Sequence, residues 1–419
     1  MEPIALERMS LTHVRVPLHE PFVISNGVVS EKDAILVEVF AGGLVGLGEA
    51  SPMAGSFYSH HTPESCWAAL TERLIPRMNE SGRIDLAGGW LPADFDDPFA
   101  TCGVDNALWD LVARVRGRPL WALLGRAAST PAVSSSVVRS ANQPLPPPGI
   151  QDPKSKIQNH VGYPQCTTPR PVESGLAVGI YPTIDDLLDR IGRYLQADGY
   201  RRVKIKVRPG WDVEPLEAVR RRFGDVPLMV DANCAYRREH IDHIAAWDRF
   251  GLMMIEQPLP RTDLEGHAEL AARCRTPICL DEGAESVQAV ERAIALRAAG
   301  VVNIKLQRLG SMAAALRVHE LTATAGIGCW MGTMPELAVG GYAAIHFATL
   351  PNIAYPADVE SSGRWFVADV TDPPIRCRDG LLSLPHGPGL GVQLDAAVVN
   401  RYKVREWSVR PACTLILED

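Results

Sequence analysis

The sequence predicts an α/β protein: a closed (β/α) barrel of the TIM type with a second, smaller domain beside it. Three observations carry this. Short apolar runs alternate with amphipathic helical segments through the middle of the chain. Ionisable residues recur at near-constant spacing at the ends of those runs. The chain, at 419 residues, outruns a lone barrel of about 250 residues by enough for one further domain.

The apolar runs are Val203–Val207, Val226–Val230, Leu252–Ile255, Ile278–Leu280, Val301–Ile304 and Ile327–Trp330. Helical patterning fills the gaps at 213–223, 237–250, 285–299 and 311–325, and Gly251, Gly300 and Gly326 close several of these segments. Strand and helix in that rhythm mean βαβ units and a parallel sheet. Upstream, Gly175–Ile180 and the helical stretch 183–196 add a unit. Downstream, 337–350 reads as a helix and Asn352–Tyr355 as the last strand. Eight strands result, enough to close a barrel.

Lys206, Asp231, Glu256, Asp281 and Lys305 follow one another at intervals of 25, 25, 25 and 24 residues, each at or just past the C-terminal end of its run. In a parallel barrel those ends share the face that carries the active site. A single charge after a strand ordinarily opens a solvated loop. Five converging on one mouth do not fit that account, because three carboxylates from adjacent strands repel unless a cation holds them. Lys204 and Lys206 alternate with Val203, Ile205 and Val207, so both lysines point to one side of the strand. The other side must pack on helices, which turns both ammonium groups inward. Like charges buried together are costly and mark function.

Three carboxylates without a nearby His or Cys specify a hard cation, Mg²⁺ first and Mn²⁺ second. Zinc would want imidazole or thiolate, and the pair His240/His243 reads as ordinary helix surface. Such a cation binds a substrate carboxylate and stabilises the enediolate formed when the α-proton leaves. Lys206 on the second strand and Lys305 on the sixth would face each other across the barrel, placed for acid/base work.

Composition narrows the class. The formal net charge of -7, with no Lys/Arg block, argues against nucleic acid. The triplet Arg220–Arg222 ends an amphipathic helix, where cations complement the dipole. No run approaches a membrane span, and the N-terminus lacks the apolar core of a secretory signal. Nine cysteines without a CxxC or regular spacing fit the reduced thiols of a cytoplasmic protein. The expectation is a cytoplasmic homo-oligomer acting on a small-molecule carboxylate, with neither nucleic acid nor membrane as partner.

The stretches VKIKVRPGWDVEPLEAV (203–219), VDANCAY (230–236), IEQPL (255–259), LDE (280–282), NIKLQRLG (303–310), MGTMPE (331–336) and GPGLGV (387–392) resemble the enolase superfamily. So do PFVISNG (21–27), GLGEASP (46–52), FYS (57–59) and ALWDL (107–111). The likeness is to the muconate-lactonizing-enzyme subgroup, and within it to the o-succinylbenzoate synthase / N-succinylamino-acid (N-acylamino-acid) racemase family. It covers nearly the whole chain.

The resemblance implies that residues 1–127 form an α+β capping domain over the mouth of a barrel at 128–371, with 372–419 returning to the cap. The pattern agrees, with strand-like Ile35–Phe40 and helices near 63–77 and 100–116. By the same likeness Asp231, Glu256 and Asp281 are metal ligands, and Lys206 and Lys305 are the acid/base pair. Lys204 supplies positive charge near the substrate carboxylate. Asn233, Glu282 and Arg308 stand behind the ligands, and Phe22, Tyr58, Thr333, Met334 and Glu336 line the substrate pocket. The implied reactions are dehydration to an o-succinylbenzoate-like product and racemisation of an N-acylated amino acid, ranked jointly first. Muconate cycloisomerisation and dipeptide epimerisation rank lower. A non-catalytic binding protein on the same fold is the reading from another class, opposed by the costly buried charges that remain intact.

Two departures fall where the substrate tail should bind. The usual Gly-Gly-Met-x-Glu is Gly332-Thr333-Met334-Pro335-Glu336 here, and a commonly following arginine is Gly341. A third feature is an insertion at about 129–172, rich in proline and polar residues, which reads as a loop. Either Ala132–Val138 or Gly175–Ile180 is the first barrel strand. The latter is preferred because a helix follows it directly.

Overall fold

The computed structural model describes residues 3–25, 27–55, 59–86, 90, 95–127 and 168–417. Tyr58 and positions 129–167 of the insertion, including Ala132–Val138, lie outside the described residues.

Seven parallel strands follow chain order, each paired with the next: Leu176–Val178, Val203–Lys206, Leu228–Asp231, Ile255–Glu256, Ile278–Leu280, Val301–Ile304 and Gly328–Met331. Their residues are buried throughout, as expected of a sheet covered on both sides. The first strand falls within Gly175–Ile180, followed by the helix Ile184–Asp198. The eighth position differs from expectation. Asn352–Tyr355 forms no ladder, and the ring closes instead through isolated bridges, Cys329 to Ile353 and Ser174 to Ala357. Pro356 breaks the ladder there, since proline has no N–H to give.

Helices Val213–Phe223, Val287–Leu296, Met312–Thr324 and Ala338–Ala348 lie where the periodicity puts them. Thr183, Ser286 and Ser311 start their helices by accepting from the backbone N–H three residues on. The stretch 237–250 is not one α-helix. It runs as 3₁₀ Arg238–His240, α Ile241–Ala245 and 3₁₀ Ala246–Phe250. In its last segment the buried Trp247 and Phe250 are three apart, a spacing that a three-residue turn stacks on one face.

The second unit is a four-stranded antiparallel sheet in the order Lys403–Val409, Arg8–Ile24, Gly27–Ala41, Leu44–Ala50. The helix Pro98–Val115 lies directly on it. Two glycines permit this: a Cβ on Gly48 would sit 2.0 Å from Gly103 O, and one on Gly46 would sit 2.1 Å from Ala107 O. The C-terminal end of Arg8–Ile24 reaches the barrel mouth. Ile180 N donates to Val23 O at 2.8 Å, and Ser25 Oγ donates to Val207 O at 2.9 Å. Among the described residues no helix is long and apolar enough to cross a membrane.

Candidate active site

The strand register sets the centre of the site. Lys206 pairs with Asp231 and Asp231 with Glu256 across successive strands, so three functional side chains stand level at the barrel mouth. Asp231, Glu256 and Asp281 each present a carboxylate oxygen within 4.8 Å of the others, and all three are buried. Lys206 Nζ lies 2.5 Å from Asp231 Oδ2, and Lys305 Nζ lies 2.8 Å from Asp281 Oδ2. The two lysines therefore hold opposite ends of the trio.

Lys204 sits one layer deeper. Its Nζ is 2.8 Å from Glu256 Oε2 and 3.1 Å from both Asp231 Oδ2 and Asp358 Oδ2. Burial alone would lower this ammonium's pKa, but Asp358, Glu256 and Asp231 together raise it well above the lysine range. For Asp231 the balance is the mirror image. Burial favours its neutral form, but the charges of Lys206 and Lys204 outweigh it and hold the carboxyl well below its usual value. Glu256 has no such surplus of cations. Burial, then the neighbouring Asp231 charge, pushes it up to about 8.

These residues fit a divalent cation. Glu256 Oε2, although ion-paired to Lys204, receives no aligned hydrogen bond among the described residues. A cation among the three oxygens would supply the charge that lets all three carboxylates ionise together. The donor set is all oxygen, which suits a hard metal.

The supporting residues are also assembled. Asn233, at φ 42°, donates its backbone N–H to Asp231 Oδ1 at 2.9 Å and its Nδ2 to Glu282 Oε1 at 3.2 Å. Burial, then the charges of Asp281 and Asp231, lifts the Glu282 carboxyl to about 7. Arg308 pairs with Asp281 Oδ1 and donates to the carbonyls of Asn303 and Ala284.

Of the expected pocket residues, Phe22 packs edge-on to Trp365 at 4.7 Å, its ring 6.0 Å from Lys206 Nζ. Met334 is buried and lines one cavity together with Phe22. Thr333 Oγ1 makes a long contact of 3.4 Å to Asp358 O, and Glu336 accepts from Met334 N at 2.9 Å. Glu336 thus turns back on its own loop. Tyr58 is outside the described residues.

The sequence reading missed four members of this network. Asp358 neutralises both Lys204 and Arg202, the latter at 2.6 Å. Arg202 could have been found, because it continues the alternation of Lys204 and Lys206 on one side of the strand. Asn303 donates to Glu256 Oε1 at 2.8 Å, in space that Gly332 leaves by having no side chain. Gln257, fully buried at φ 38°, accepts from Asp281 N and Gly283 N, both at 2.9 Å. Its Nε2 donates to Leu259 O at 3.1 Å, and its own carbonyl accepts from Cys234 N at 2.8 Å. One amide residue therefore ties together the ends of the three strands that carry the carboxylates.

Comparison with known proteins gives consistent matches. Residues 7–125 match the mandelate racemase / muconate lactonizing enzyme N-terminal domain, and residues 186–398 match the enolase C-terminal domain-like family. An o-succinylbenzoate synthase of Geobacillus kaustophilus is 36% identical over 404 residues, covering 95% of this chain and 96% of that one. An N-succinylamino acid racemase of an Amycolatopsis species is 37% identical over 388 residues, covering 92% and 94%. The crystal structure of an enolase-superfamily member from Listeria innocua superposes with a TM-score of 0.81 at 28% identity, over 97% of this chain and 99% of that one.

Proposed function

The chain belongs to the mandelate racemase / muconate lactonizing enzyme family of the enolase superfamily, and on that premise we propose that it abstracts a proton α to a substrate carboxylate. The reaction is that of an o-succinylbenzoate synthase, an N-succinylamino acid racemase, or both. The observation that carries this reading is the pair of lysines at opposite ends of one carboxylate trio, Lys206 on Asp231 and Lys305 on Asp281. Amines on two sides of a common centre can serve the two faces of a single α-carbon.

Asp231, Glu256 and Asp281 would hold the metal, with Mg²⁺ favoured by the all-oxygen donor set. When bound, that ion supplies Lewis-acid stabilisation to a substrate carboxylate and the negative charge developing on it. This chain's residues do the rest. Asn233, Asn303, Arg308 and Gln257 fix the carboxylates, and Lys204 adds a buried positive charge beneath them. Phe22 and Met334 line the approach to Lys206.

The test is α-proton exchange in D₂O followed by NMR, with N-succinyl amino acids and with the precursor that dehydrates to o-succinylbenzoate. Exchange should require divalent metal, disappear with EDTA and return with Mg²⁺. Absence of exchange with either substrate class, in metal-loaded protein, would overturn the reading. It would also leave the non-catalytic binding protein as the better account.

A further inference from the structure

Glu20 is a cap residue whose carboxylate is held by three side chains of the barrel. It lies on the strand Arg8–Ile24, in the stretch where pairing with Gly27–Ala41 breaks down. Pro17 pairs with Glu31 and Phe22 with Val29, so four residues, Leu18–Pro21, face Ser30 alone. Such a bulge re-aims the side chains beside it and disrupts the ladder that would otherwise hold them. Glu20 makes good that loss. Its Oε1 accepts from Tyr181 Oη at 3.0 Å and from Tyr194 Oη at 3.2 Å, and its Oε2 pairs with Arg190 at 2.6 Å. Arg190 and Tyr194 are four apart on the helix Ile184–Asp198, so one helix face offers both to a single carboxylate. Burial, then the Glu20 charge, raises the Tyr181 phenol above its ordinary 10, and the hydroxyl stays a donor.

The ring of Phe22, two residues along the chain, is what these contacts hold. It packs edge-on to Trp365 at 4.7 Å and lies against Gly179, where a Cβ would come 3.3 Å from its Cδ2. The contacts also form a circuit back to Glu20. The Arg364 guanidinium lies 4.3 Å from the centre of the Trp365 ring and 4.1 Å from that of Tyr194, whose hydroxyl donates to Glu20. Phe22 is thus fixed from two directions, along the chain and across the stacked Arg364. Its ring stands 6.0 Å from Lys206 Nζ. We propose that Glu20 is a positioning residue, which latches the bulge to the barrel helix and thereby holds Phe22 at the approach to Lys206. The inference rests on the α-proton reading above and adds to it a residue that acts through another. A ring left free would have to be ordered each time substrate arrives, and that cost would weaken binding.

A single 4-fluorophenylalanine placed at Phe22 reports that ring's surroundings by ¹⁹F NMR, in the full Mg²⁺-loaded chain and without turnover. Its resonance should stand apart from the position seen in urea, because the Trp365 ring current acts on it. Glu20→Ala should shift or broaden it in protein whose circular dichroism is unchanged. The combined Tyr181→Phe, Arg190→Met and Tyr194→Phe variant cuts the same latch from the barrel side while keeping both rings. It should act alike, and it carries the test if Glu20→Ala does not fold. An unchanged resonance in a folded variant overturns the inference. The second arm is kinetic, with α-deuterium incorporation from N-succinylphenylalanine as the readout. Glu20→Ala should lower kcat/KM by about two- to tenfold, the effect of leaving one such side chain to be ordered on binding. The same change in Phe22→Ala protein should cost nothing further, since Glu20 acts through that ring. Equal losses in both backgrounds would mean that Glu20 only braces the cap, which refutes the inference. If the wild type exchanges no α-proton while the ¹⁹F signal still tracks Glu20, the α-proton reading fails and the latch on Phe22 stands.

Discussion

Lys204 and Asp358 meet 3.1 Å apart inside the barrel, across the seam where the ring closes without a regular eighth strand. The same carboxylate holds Arg202 at 2.6 Å. Lys204 of the second strand and Arg202 just before it therefore anchor the irregular segment that completes the barrel, and Lys204 in turn reaches Asp231 and Glu256. Fold closure and site electrostatics depend on one residue.

Asp358→Asn should accordingly destabilise the protein by about 3–5 kcal/mol, the range for leaving a buried charge without its partner. Urea denaturation of both proteins measures it. The pH dependence follows from the direction of the shifts. Burial opposes ionisation of Asp358, but Lys204 and Arg202 hold its carboxyl well below its ordinary 3.8. Its contribution is thus present above 3.8 and is lost only as pH falls through the lower folded value. Lys204, raised above 10.5, contributes fully at all lower pH. The gap between wild type and variant should stay constant from about pH 5 to 9 and narrow only in strong acid. A gap that shrinks between pH 5 and 7 would contradict this assignment.

Gln257→Leu should damage metal binding more than its distance from a metal would suggest. The change strips the acceptor from Asp281 N and Gly283 N, two buried donors worth about 1–3 kcal/mol each when left unpaired. Loss of such support around a ligand typically weakens metal affinity by about 10–100-fold. Mn²⁺ titration followed by EPR reads affinity directly, without turnover. Unchanged affinity with an otherwise folded variant would show that Gln257 only packs.

Much of this site was legible in the sequence because it lies on regular strands. A strand's alternation determines which side a residue faces, so Lys204 and Lys206 could be turned inward from pattern alone, and a repeat near 25 residues brings Lys206, Asp231 and Glu256 level, with Asp281 two residues past the partner of Glu256. Residues on irregular backbone, or on a strand but dependent on a neighbour's missing side chain, were not legible. Asp358 follows Pro356 in a segment with no ladder, Gln257 acts from a positive φ, and Asn303 depends on the missing side chain of Gly332. None of these has a period to betray it.

In the metal-free protein, stability should fall as pH rises from about 5 to 8.5. Burial is the main cause that lifts the Glu49, Glu256 and Glu360 carboxyls to about 8. A carboxyl raised in the folded state favours folding while it is protonated, and that advantage is lost as pH climbs from its ordinary 4.5 through the folded value. Thermal melts of EDTA-treated protein at about pH 6 and pH 8.5 test this. Metal should remove the share due to Glu256, which must give up its proton to become a ligand. Calorimetry of Mg²⁺ binding at neutral pH, in two buffers of different ionisation enthalpy, should therefore show proton release. Binding without proton release would mean that Glu256 is already ionised in the metal-free protein.

Lys206 and Lys305 should act on opposite faces of the substrate α-carbon. They come from the second and sixth strands of the barrel, and their Nζ atoms bond Asp231 and Asp281, the outer members of the carboxylate trio. A substrate carboxylate held at the trio would then have its α-carbon between the two amines. In a racemase each lysine then takes the proton from one enantiomer and returns one to the other face. Lys206→Ala should abolish α-deuterium exchange with one enantiomer while sparing part of the exchange with the other, and Lys305→Ala should show the reverse pattern. Each loss should be at least about a hundredfold, the usual contribution of a positioned acid/base group. In a synthase the pattern is one-sided: one lysine is required for exchange, and the other affects rate only through its charge, so Lys→Arg at that second position retains much of the activity. Comparing both enantiomers across the two alanine variants separates racemase from synthase in a single set of NMR traces. Wild-type exchange with both enantiomers in both variants would show that neither lysine is the base.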